Sequence, residues 1–260
     1  MPREIRMVSA FPRIIVINLA ASTERRKIME QHLKELGLEG EFFAATDGRQ
    51  MSEKDIAAIY DDEQASKTEW GKLTRGEIGC AISHRRVWQM LLDSGEAGFL
   101  VLEDDIVLAP DVPKWLAELS RLARDGDVIP FVKTSSTPYF FRRVKLDSRW
   151  LIYANQSFIG ATAYYITPLA ARRLLAASHP IHFPTDCWYS NPGFKGATPI
   201  RVVWPEAVTP RAGSNEASTI GFREAHVPKV LIRKNWLRRK FSEFRRYLKN
   251  RFLVKPVRFH

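Results

Sequence analysis

Three adjacent acidic residues follow a short apolar run near the middle of the chain. Residues 100–102 are Leu-Val-Leu, and Glu103, Asp104 and Asp105 follow directly. Open α/β sheets bind ligands at the carboxyl ends of their strands, so acids at this point are well placed for chemistry. Adjacent carboxylates raise one another's pKa unless a cation neutralises them, and Mg²⁺ or Mn²⁺ also bridges to nucleotide phosphates. We predict that Glu103 and Asp105 bind such an ion; the alternative is an acidic turn that only begins a loop.

The segments before the acids have the pattern of an α/β sandwich. Residues 13–19 form a β-branched apolar run, which predicts a strand buried on both faces rather than a cleaved signal peptide. A helix is predicted from Ser22 or Thr23 to Gly37, followed by a second strand at 41–45. Asp47 and Gly48 then predict a turn. The run 99–102 is the strand that carries the acids.

The remaining segments alternate between strand-like and helix-like patterns. Predicted helices cover residues 52–60, 75–92, 110–121 and 168–177. Predicted strands lie around residues 128–133, 139–144, 151–154 and 160–167. The polar stretch that ends at Thr68 is predicted to be a surface loop, and the Pro- and Gly-rich residues 180–210 are predicted to be loops around a site.

The net charge of +11 is concentrated at the C-terminus. Residues 229–260 contain 12 of the 40 basic residues and one of the 29 acidic ones, so the remaining 28 of each sign balance. We therefore predict a neutral domain over 1–228 and a basic tail over 229–260. No run approaches the roughly 20 apolar residues that cross a bilayer. The two cysteines, Cys80 and Cys187, fit packing in a reducing compartment better than a disulfide framework.

Several ordered motifs resemble glycosyltransferase family 25, which includes bacterial lipooligosaccharide galactosyltransferases and collagen hydroxylysine galactosyltransferases. The similarity covers about residues 12–222. The stronger motifs are residues 15–19 followed by Arg25 and Arg26, 42–45 followed by Asp47 and Gly48, 73–84, and 102–105; weaker ones lie at 160–165, 184–186 and 218–220. The resemblance implies a GT-A-like, Rossmann-type α/β sandwich, a UDP-sugar donor (galactose, with glucose as the other choice), and inversion at the anomeric carbon.

The resemblance also implies roles for individual residues. Glu103, Asp104 and Asp105 look like the family's Asp-x-Asp metal motif, with Glu in its first position. The residues implied to bind the donor are Asn18, Arg25, Asp47, Arg75, Ser83, His84 and Asp104. Each has a structural alternative: a turn for Asp47, a solvated helix face for Arg25 or Arg26, and hydrogen bonding within the long helix for Ser83 and His84. Cys80 is interpreted as a packing residue.

Inversion in one displacement needs a base that takes the proton of the acceptor hydroxyl. Asp186 is our candidate, in a segment where Trp188 or Tyr189 can stack on a sugar. The alternative for Asp186 is a contact with the backbone amides at a helix N-terminus. Glu206 is the reserve candidate for the base, and His226 is a candidate further metal ligand.

The basic tail has the pattern of an amphipathic helix. Its apolar residues recur at spacings of three and four, at Leu237, Phe241, Phe244, Leu248 and Phe252. We expect it to bind an anionic membrane surface, which places the protein in the cytoplasm on the inner face of the membrane beside a glycolipid or oligosaccharide acceptor. Docking on the catalytic domain and nucleic-acid binding are the alternatives, and nucleic acid is not the expected partner. The alternative function is a non-catalytic module that binds membrane or nucleic acid through this tail.

Overall fold

The computed structural model describes residues 11–132, 143–153, 160–190 and 201–212. Within them the chain alternates between strands and helices. In chain order the elements are β1 (Arg13–Asn18), α1 (Thr23–Glu35), β2 (Glu41–Ala44), a 3₁₀ turn (Gly48–Gln50), α2 (Glu53–Ala57), α3 (Asp62–Ser66), α4 (Arg75–Ser94), β3 (Phe99–Glu103), β4 (Ile106–Leu108), α5 (Val112–Leu122), β5 (Val128–Pro130), β6 (Arg143–Leu146), β7 (Arg149–Tyr153), β8 (Ala163–Ile166), α6 (Pro168–Ala177), α7 (Thr185–Ser190), β9 (Arg201–Trp204) and β10 (Val208–Pro210).

The central sheet has five strands in the order β2-β1-β3-β8-β5. Strand β1 pairs in parallel with β2 and with β3, with Ile17 opposite both Phe43 and Glu103. Strand β8 runs antiparallel to both β3 and β5. Because β1, β2 and β3 are parallel, their carboxyl ends lie at one edge of the sheet, as the sequence predicts for the acids after β3.

Helices cover both faces of this sheet. Along β1, Ile14 and Val16 pack into one cluster with α1 and α5, whereas Ile15 and Ile17 pack into a second cluster with α4 and α6. All four side chains are nearly inaccessible to solvent, which is why the strand has an uninterrupted β-branched sequence. The predicted α/β sandwich is confirmed, and residues 13–18 form a structural strand in its centre.

Two predictions about loops are wrong. The polar stretch before Thr68 contains helix α3, whose N-cap Asp61 accepts a hydrogen bond from Gln64 N. The region 180–210, predicted as loops, contributes α7, β9 and β10 in its described part. Strand β9 joins β6 and β7 in a three-stranded sheet, and β10 pairs with β4. A strand as short as Arg201–Trp204 gives too few alternating residues to recognise, and the prolines and glycines around it indicate loops.

Helix α4, with 20 residues the longest of the described helices, carries several residues of the predicted site. Thr74 and Glu77 form a capping box at its start, and Gly95 ends it in the left-handed conformation with a φ of 71°. Its predicted core residues Val87 and Leu91 are fully buried. Among the described residues, no helix is long and apolar enough to cross a membrane.

Candidate functional site

A first cavity lies at the carboxyl ends of the three parallel strands. Its lining comes from the ends of β1, β2 and β3, from the 3₁₀ turn and from the first half of α4. Of the residues predicted to bind donor or metal, it contains Arg25, Asp47, Ser83, His84, Glu103, Asp104 and Asp105. The sheet topology therefore brings together side chains that are up to 80 positions apart in the sequence.

Asp104 is a buried acceptor that fixes the geometry of this edge. Its Oδ2 accepts a hydrogen bond from Asn18 Nδ2 at 2.6 Å, and its Oδ1 accepts one from Arg25 Nη1 at 3.2 Å. Its side chain is 9% exposed. Asn18 is itself buried and also donates to Ser22 O, at the start of α1. These contacts tie the ends of β1 and β3 to α1, so Asn18 and Asp104 organise the edge of the cavity.

Arg25 supplies positive charge between two of the acids. Its Nη1 also lies 3.8 Å from Asp105 Oδ2. The neighbouring Arg26 instead pairs with Glu30 along the exposed face of α1 and lies over the Phe42 ring. The sequence left open which of the two arginines belongs to a solvated helix face; the structure assigns that face to Arg26 and the cavity to Arg25.

Asp105 has an electrostatic environment that a cation would relieve. Burial and the nearby charge of Glu103 raise the pKa of Asp105 to about 6, although Arg25 opposes the shift. A carboxylate disfavoured by burial and by a second carboxylate is stabilised when a divalent ion binds both. The carboxylates of Glu103 and Asp105 therefore suit a hard cation with oxygen ligands.

Glu103 is held by a chain of buried hydrogen bonds. Its Oε1 lies 3.3 Å from His84 Nε2, and Nδ1 of the same ring lies 2.7 Å from the Tyr164 hydroxyl. Trp88 Nε1 donates to that hydroxyl at 2.9 Å. The tryptophan N–H can only donate, so the tyrosine hydroxyl accepts from Trp88. The carboxylate of Glu103 only accepts, so a neutral imidazole carries its proton on Nε2 and its Nδ1 accepts from the tyrosine hydroxyl.

Cys80 lies beside the same carboxylate. Its Sγ is 3.9 Å from Glu103 Oε1 and 3.7 Å from Thr185 Oγ1, and the ligand atoms of Cys80, His84 and Glu103 all lie within 4.8 Å of one another. Burial first, and then the charge of Glu103, raise the pKa of the Cys80 thiol. The thiol is therefore protonated and donates weakly to Glu103. Both cysteines are free, as predicted.

Ser83 anchors the loop after β2 to helix α4. Its hydroxyl donates to Gly79 O at 2.7 Å and accepts from Thr46 N at 2.8 Å. The loop approaches the helix so closely that a Cβ at Gly79 would lie 2.5 Å from both Gly48 N and Thr46 O. The contacts of Ser83 agree with the structural alternative, and they shape the cavity wall that Ser83 also lines.

Arg75 makes its described contacts with the 3₁₀ turn and the residues that follow it. Its guanidinium donates to Met51 O at 2.7 Å and to Gly48 O at 3.4 Å, and it pairs with Glu53. It lines neither of the two cavities described here. Arg75 is in the first turn of α4, and from there its side chain reaches the 3₁₀ turn and donates hydrogen bonds to Gly48 O and to Met51 O.

Asp47 caps the 3₁₀ turn, which is the structural alternative predicted for it from the sequence. Its carboxylate accepts from the backbone N–H of Arg49 and receives two hydrogen bonds of 2.8 Å from the Arg49 guanidinium. These bonds lower the pKa of Asp47. Because the carboxylate also lines the first cavity, binding uracil or ribose there stays a prediction.

A second cavity adjoins the first. Cys80 and Glu103 line both, so these two residues mark where the cavities meet. The other residues that line the second cavity are Trp70, Glu77, Gly160, Ala161, Thr162, Pro184, Thr185 and Asp186. The candidate base Asp186 therefore lines a cavity that Glu103 shares with the first one.

Asp186 is held by a segment distant in sequence. Its Oδ2 accepts a hydrogen bond from Gly160 N at 2.8 Å, and Gly160 has a φ of +105°. A side chain is strained at that backbone angle, so glycine is the residue that presents this N–H. Within the described residues, Oδ1 of Asp186 accepts no hydrogen bond, which leaves one oxygen for a proton. The alternative for Asp186 is a contact with the amides of its own helix; among the described residues, the backbone amide that donates to it is that of Gly160.

Other predicted residues lie away from the cavities or outside the described residues. Trp188 is 2% exposed and packs edge-on against Phe183, so it does not present a face to a sugar. Glu206 lies between β9 and β10, where its backbone carbonyl accepts from Arg149, and it lines neither cavity. The side chain of Tyr189, together with His226 and the amphipathic tail 229–260, lies outside what the structure describes.

Sequence reasoning missed three functional candidates. Trp70 lies just after the polar stretch that ends at Thr68, in a segment with no predicted element, and nothing in its surroundings indicates a cavity shared with Asp186, 116 positions later in the sequence. Tyr164 belongs to an apolar strand pattern that indicates burial but not a hydroxyl contact. Gly160 was noted only within a weak motif, and its positive φ is the property that makes it matter.

Comparisons with known proteins identify sequences that resemble this chain. A family model described as glycosyltransferase family 25 (LPS biosynthesis protein) matches residues 11–189. A protein of Aedes aegypti named "Glycosyltransferase 25 family member" is 31% identical over 181 residues, which cover 65% of this chain and 28% of that protein. One of the same name from Anopheles gambiae is 40% identical over 175 residues, covering 62% and 28%.

A third relative is named for a lack of activity. The "Probable inactive glycosyltransferase 25 family member 3" of Rattus norvegicus is 30% identical over 193 residues, covering 68% of this chain and 32% of that protein. The chain spans about a third or less of the length of these relatives. The family match nevertheless includes β1, the cavity acids and the candidate base, and on that match the chain belongs to glycosyltransferase family 25.

Proposed function

We propose that this chain is an inverting glycosyltransferase that transfers a hexose, galactose or glucose, from a UDP-sugar to a saccharide of lipooligosaccharide or lipopolysaccharide. One observation carries the proposal: two cavities meet at Glu103, one at the strand edge with clustered acids and the other containing Asp186. A transferase needs this arrangement, because donor and acceptor must approach one reacting carbon from different sides.

The clustered carboxylates of the first cavity support a divalent metal ion, Mn²⁺ or Mg²⁺, as cofactor. Glu103 and Asp105 would hold it, since both line the first cavity and the pKa of Asp105 is raised by burial and by the charge of Glu103. Bound there, the ion would neutralise the diphosphate of the donor and the charge that develops on it. Arg25 adds a fixed positive charge on the same side.

The reaction is a single displacement at the anomeric carbon. The acceptor hydroxyl oxygen forms the new bond to that carbon as the bond to the diphosphate oxygen breaks, and UDP leaves with the bonding electron pair. Asp186 takes the hydroxyl proton on Oδ1, while the hydrogen bond from Gly160 N holds Oδ2. A carboxylate fixed by one oxygen keeps the other aimed at the proton it removes.

Other residues hold the reacting groups in place. Asn18 and Arg25 fix Asp104 between them, and Trp88, Tyr164 and His84 fix the carboxylate of Glu103. These groups lie on strands and helices of the central sandwich, so their geometry is set before substrate binds. We assign to these residues the role of positioning the two carboxylates.

The test is release of UDP from UDP-galactose and UDP-glucose, with Mn²⁺ and with a chelator. Glu103→Gln and Asp105→Asn should each abolish metal-dependent turnover, and Asp186→Asn should remove transfer to acceptor while the protein still binds UDP. The matched control is Glu35→Gln, on the exposed surface of α1. Metal-dependent turnover that persists in both Glu103→Gln and Asp105→Asn would refute the mechanism. A wild-type protein that binds UDP without turnover would instead place this chain with the relatives named as inactive.

The charge of residues 229–260 supports a second component of the proposal. With 12 basic residues and one acidic residue, the tail suits an anionic membrane on the cytoplasmic side, where a glycolipid acceptor is accessible. The protein without 229–260 should keep hydrolysing donor and lose sedimentation with phosphatidylglycerol vesicles. If removal of the tail abolished the only measurable activity, and that activity were binding, the non-catalytic alternative would replace the enzyme.

A further inference from the structure

Trp70 is an exposed tryptophan at the second cavity. It is 38% exposed and lines the cavity that contains Asp186 and Glu103. Exposing an indole costs free energy, because the ring is the largest apolar side chain and its burial is favourable. A single exposed aromatic residue is common on protein surfaces, but this one lines the cavity that contains the candidate base, where an aromatic ring can cover one face of a ligand.

The turn that carries Trp70 is held at both ends. Trp70 N donates to Thr68 Oγ1 at 3.2 Å, and the same hydroxyl donates to Ala65 O at 2.8 Å. After the turn, Leu73 is buried and its N–H donates to the Tyr60 hydroxyl at 2.9 Å. The backbone on each side is thus tied to packed residues, and this fixes the indole beside the cavity.

The same cavity has an acidic wall. Glu77, Glu103 and Asp186 all line it. Carboxylates accept hydrogen bonds from hydroxyl groups and repel anions, and an aromatic ring covers the C–H face of a pyranose. The combination suits a ligand that is apolar on one face, rich in hydroxyls at its edge and uncharged.

We propose that Trp70 and the acidic wall form the acceptor subsite, in which a neutral sugar stacks one face on the indole and points its reacting hydroxyl at Asp186. The inference rests on the proposed transferase function and adds the charge class of the acceptor. Phosphorylated sugars and uronic acids are disfavoured at the position next to the reaction by the carboxylates of Glu77 and Asp186, which are not among the proposed metal ligands. Trp70 thereby takes the stacking role that the sequence had suggested for the buried Trp188.

The experiment is saturation-transfer NMR with the full chain and a matched pair of probes, methyl β-D-glucoside and methyl β-D-glucuronide. The two share a ring and differ by a carboxylate. The wild-type protein should transfer saturation to the C–H protons of the glucoside and bind the glucuronide about tenfold more weakly. Trp70→Ala should weaken glucoside binding about tenfold, and Trp70→Phe should restore part of it. Glu77→Gln keeps an acceptor oxygen for Thr74 N and should reduce discrimination against the glucuronide.

The control variant is Val144→Ala, which removes a comparably exposed apolar side chain outside both cavities and should bind as the wild type does. Equal binding of glucoside by Trp70→Ala and wild type would overturn the proposal. So would glucuronide binding as tight as that of glucoside, or no response of the wild type to the glucoside. Thermal stabilisation by UDP and Mn²⁺ is read in the same samples, so failure of the donor site is distinguished from failure of the acceptor subsite.

Discussion

The Tyr164 hydroxyl lies 2.7 Å from Nδ1 of His84, and both groups are fully buried. The hydroxyl also accepts from Trp88 Nε1, and burial raises the pKa of Tyr164 well above its ordinary value. The hydroxyl orients the imidazole of His84. Its hydrogen bond to Nδ1 leaves the ring proton on Nε2, which lies 3.3 Å from Glu103 Oε1. These hydrogen bonds connect Tyr164 on strand β8 with Trp88 and His84 on helix α4, and through His84 with Glu103 in the cavity.

Tyr164→Phe should weaken metal-dependent catalysis as well as stability. The change leaves the N–H of Trp88 and Nδ1 of His84 without the hydroxyl, which costs about 1–3 kcal/mol in the free energy of unfolding. Loss of the orienting contact should lower Mn²⁺ affinity roughly 10-fold. Urea unfolding and Mn²⁺ titration measure the two effects. Tyr165→Phe is the matched control on the same strand; an unchanged Mn²⁺ affinity in Tyr164→Phe would contradict the positioning role.

Asp105→Asn should stabilise the metal-free protein at neutral pH. Burial and the charge of Glu103 raise the Asp105 pKa to about 6. The folded state therefore binds this proton more tightly than the unfolded state, so the free energy of unfolding falls as pH rises from about 4 to about 6 and stays reduced above that range. The shift corresponds to at most about 3 kcal/mol, and partial exposure reduces our expectation to about 1–2 kcal/mol.

Urea unfolding in chelator at about pH 5 and about pH 8 measures this difference. The advantage of Asp105→Asn over the wild type should be larger at the higher pH. Asp125→Asn, in an exposed turn, is the control. An advantage of the same size at both pH values would show that the benefit is not electrostatic.

Gly79→Ala should separate the 3₁₀ turn from helix α4. The added methyl would lie 2.5 Å from Gly48 N and from Thr46 O, and neither backbone atom can move without opening the cavity wall. We expect a loss of about 1–3 kcal/mol in the free energy of unfolding and weaker UDP binding. Gly37→Ala is the control, because a methyl there meets no atom within 4 Å and costs only the strain of its positive φ. Equal losses in the two variants would argue against the close contact.

Gly160→Ala should impair transfer more than donor hydrolysis. The residue has a φ of +105°, which strains alanine by about 1–2 kcal/mol, and its N–H holds Asp186. As the backbone relaxes, the base loses its alignment. Rates of transfer to a saccharide and of UDP release without acceptor, measured side by side, give the comparison. A proportional fall in both rates would point to a general loss of structure.

The amino-acid pattern was enough to place the acids. The β-branched residues 13–18 and the apolar run before Glu103 predict buried strands, and buried neighbouring strands joined by helices are parallel. Their carboxyl ends then coincide, which is why Asn18, Glu103 and Asp105 meet at one edge as predicted. The motif order also indicated the family, which the family model confirms over residues 11–189.

Tertiary structure decided what each side chain does there. Arg75 and Arg25 both lie near the start of a helix. Arg75 donates hydrogen bonds to backbone carbonyls at the 3₁₀ turn, whereas Arg25 lies between Asp104 and Asp105. Trp70 and Trp188 are both candidates for stacking, but only Trp70 is exposed at the cavity. Local pattern indicates element type and the apolar character of a strand or helix, because these depend on neighbours in sequence. Contacts across 80 or more residues depend on strand register and helix packing, which arise only when the whole chain is folded.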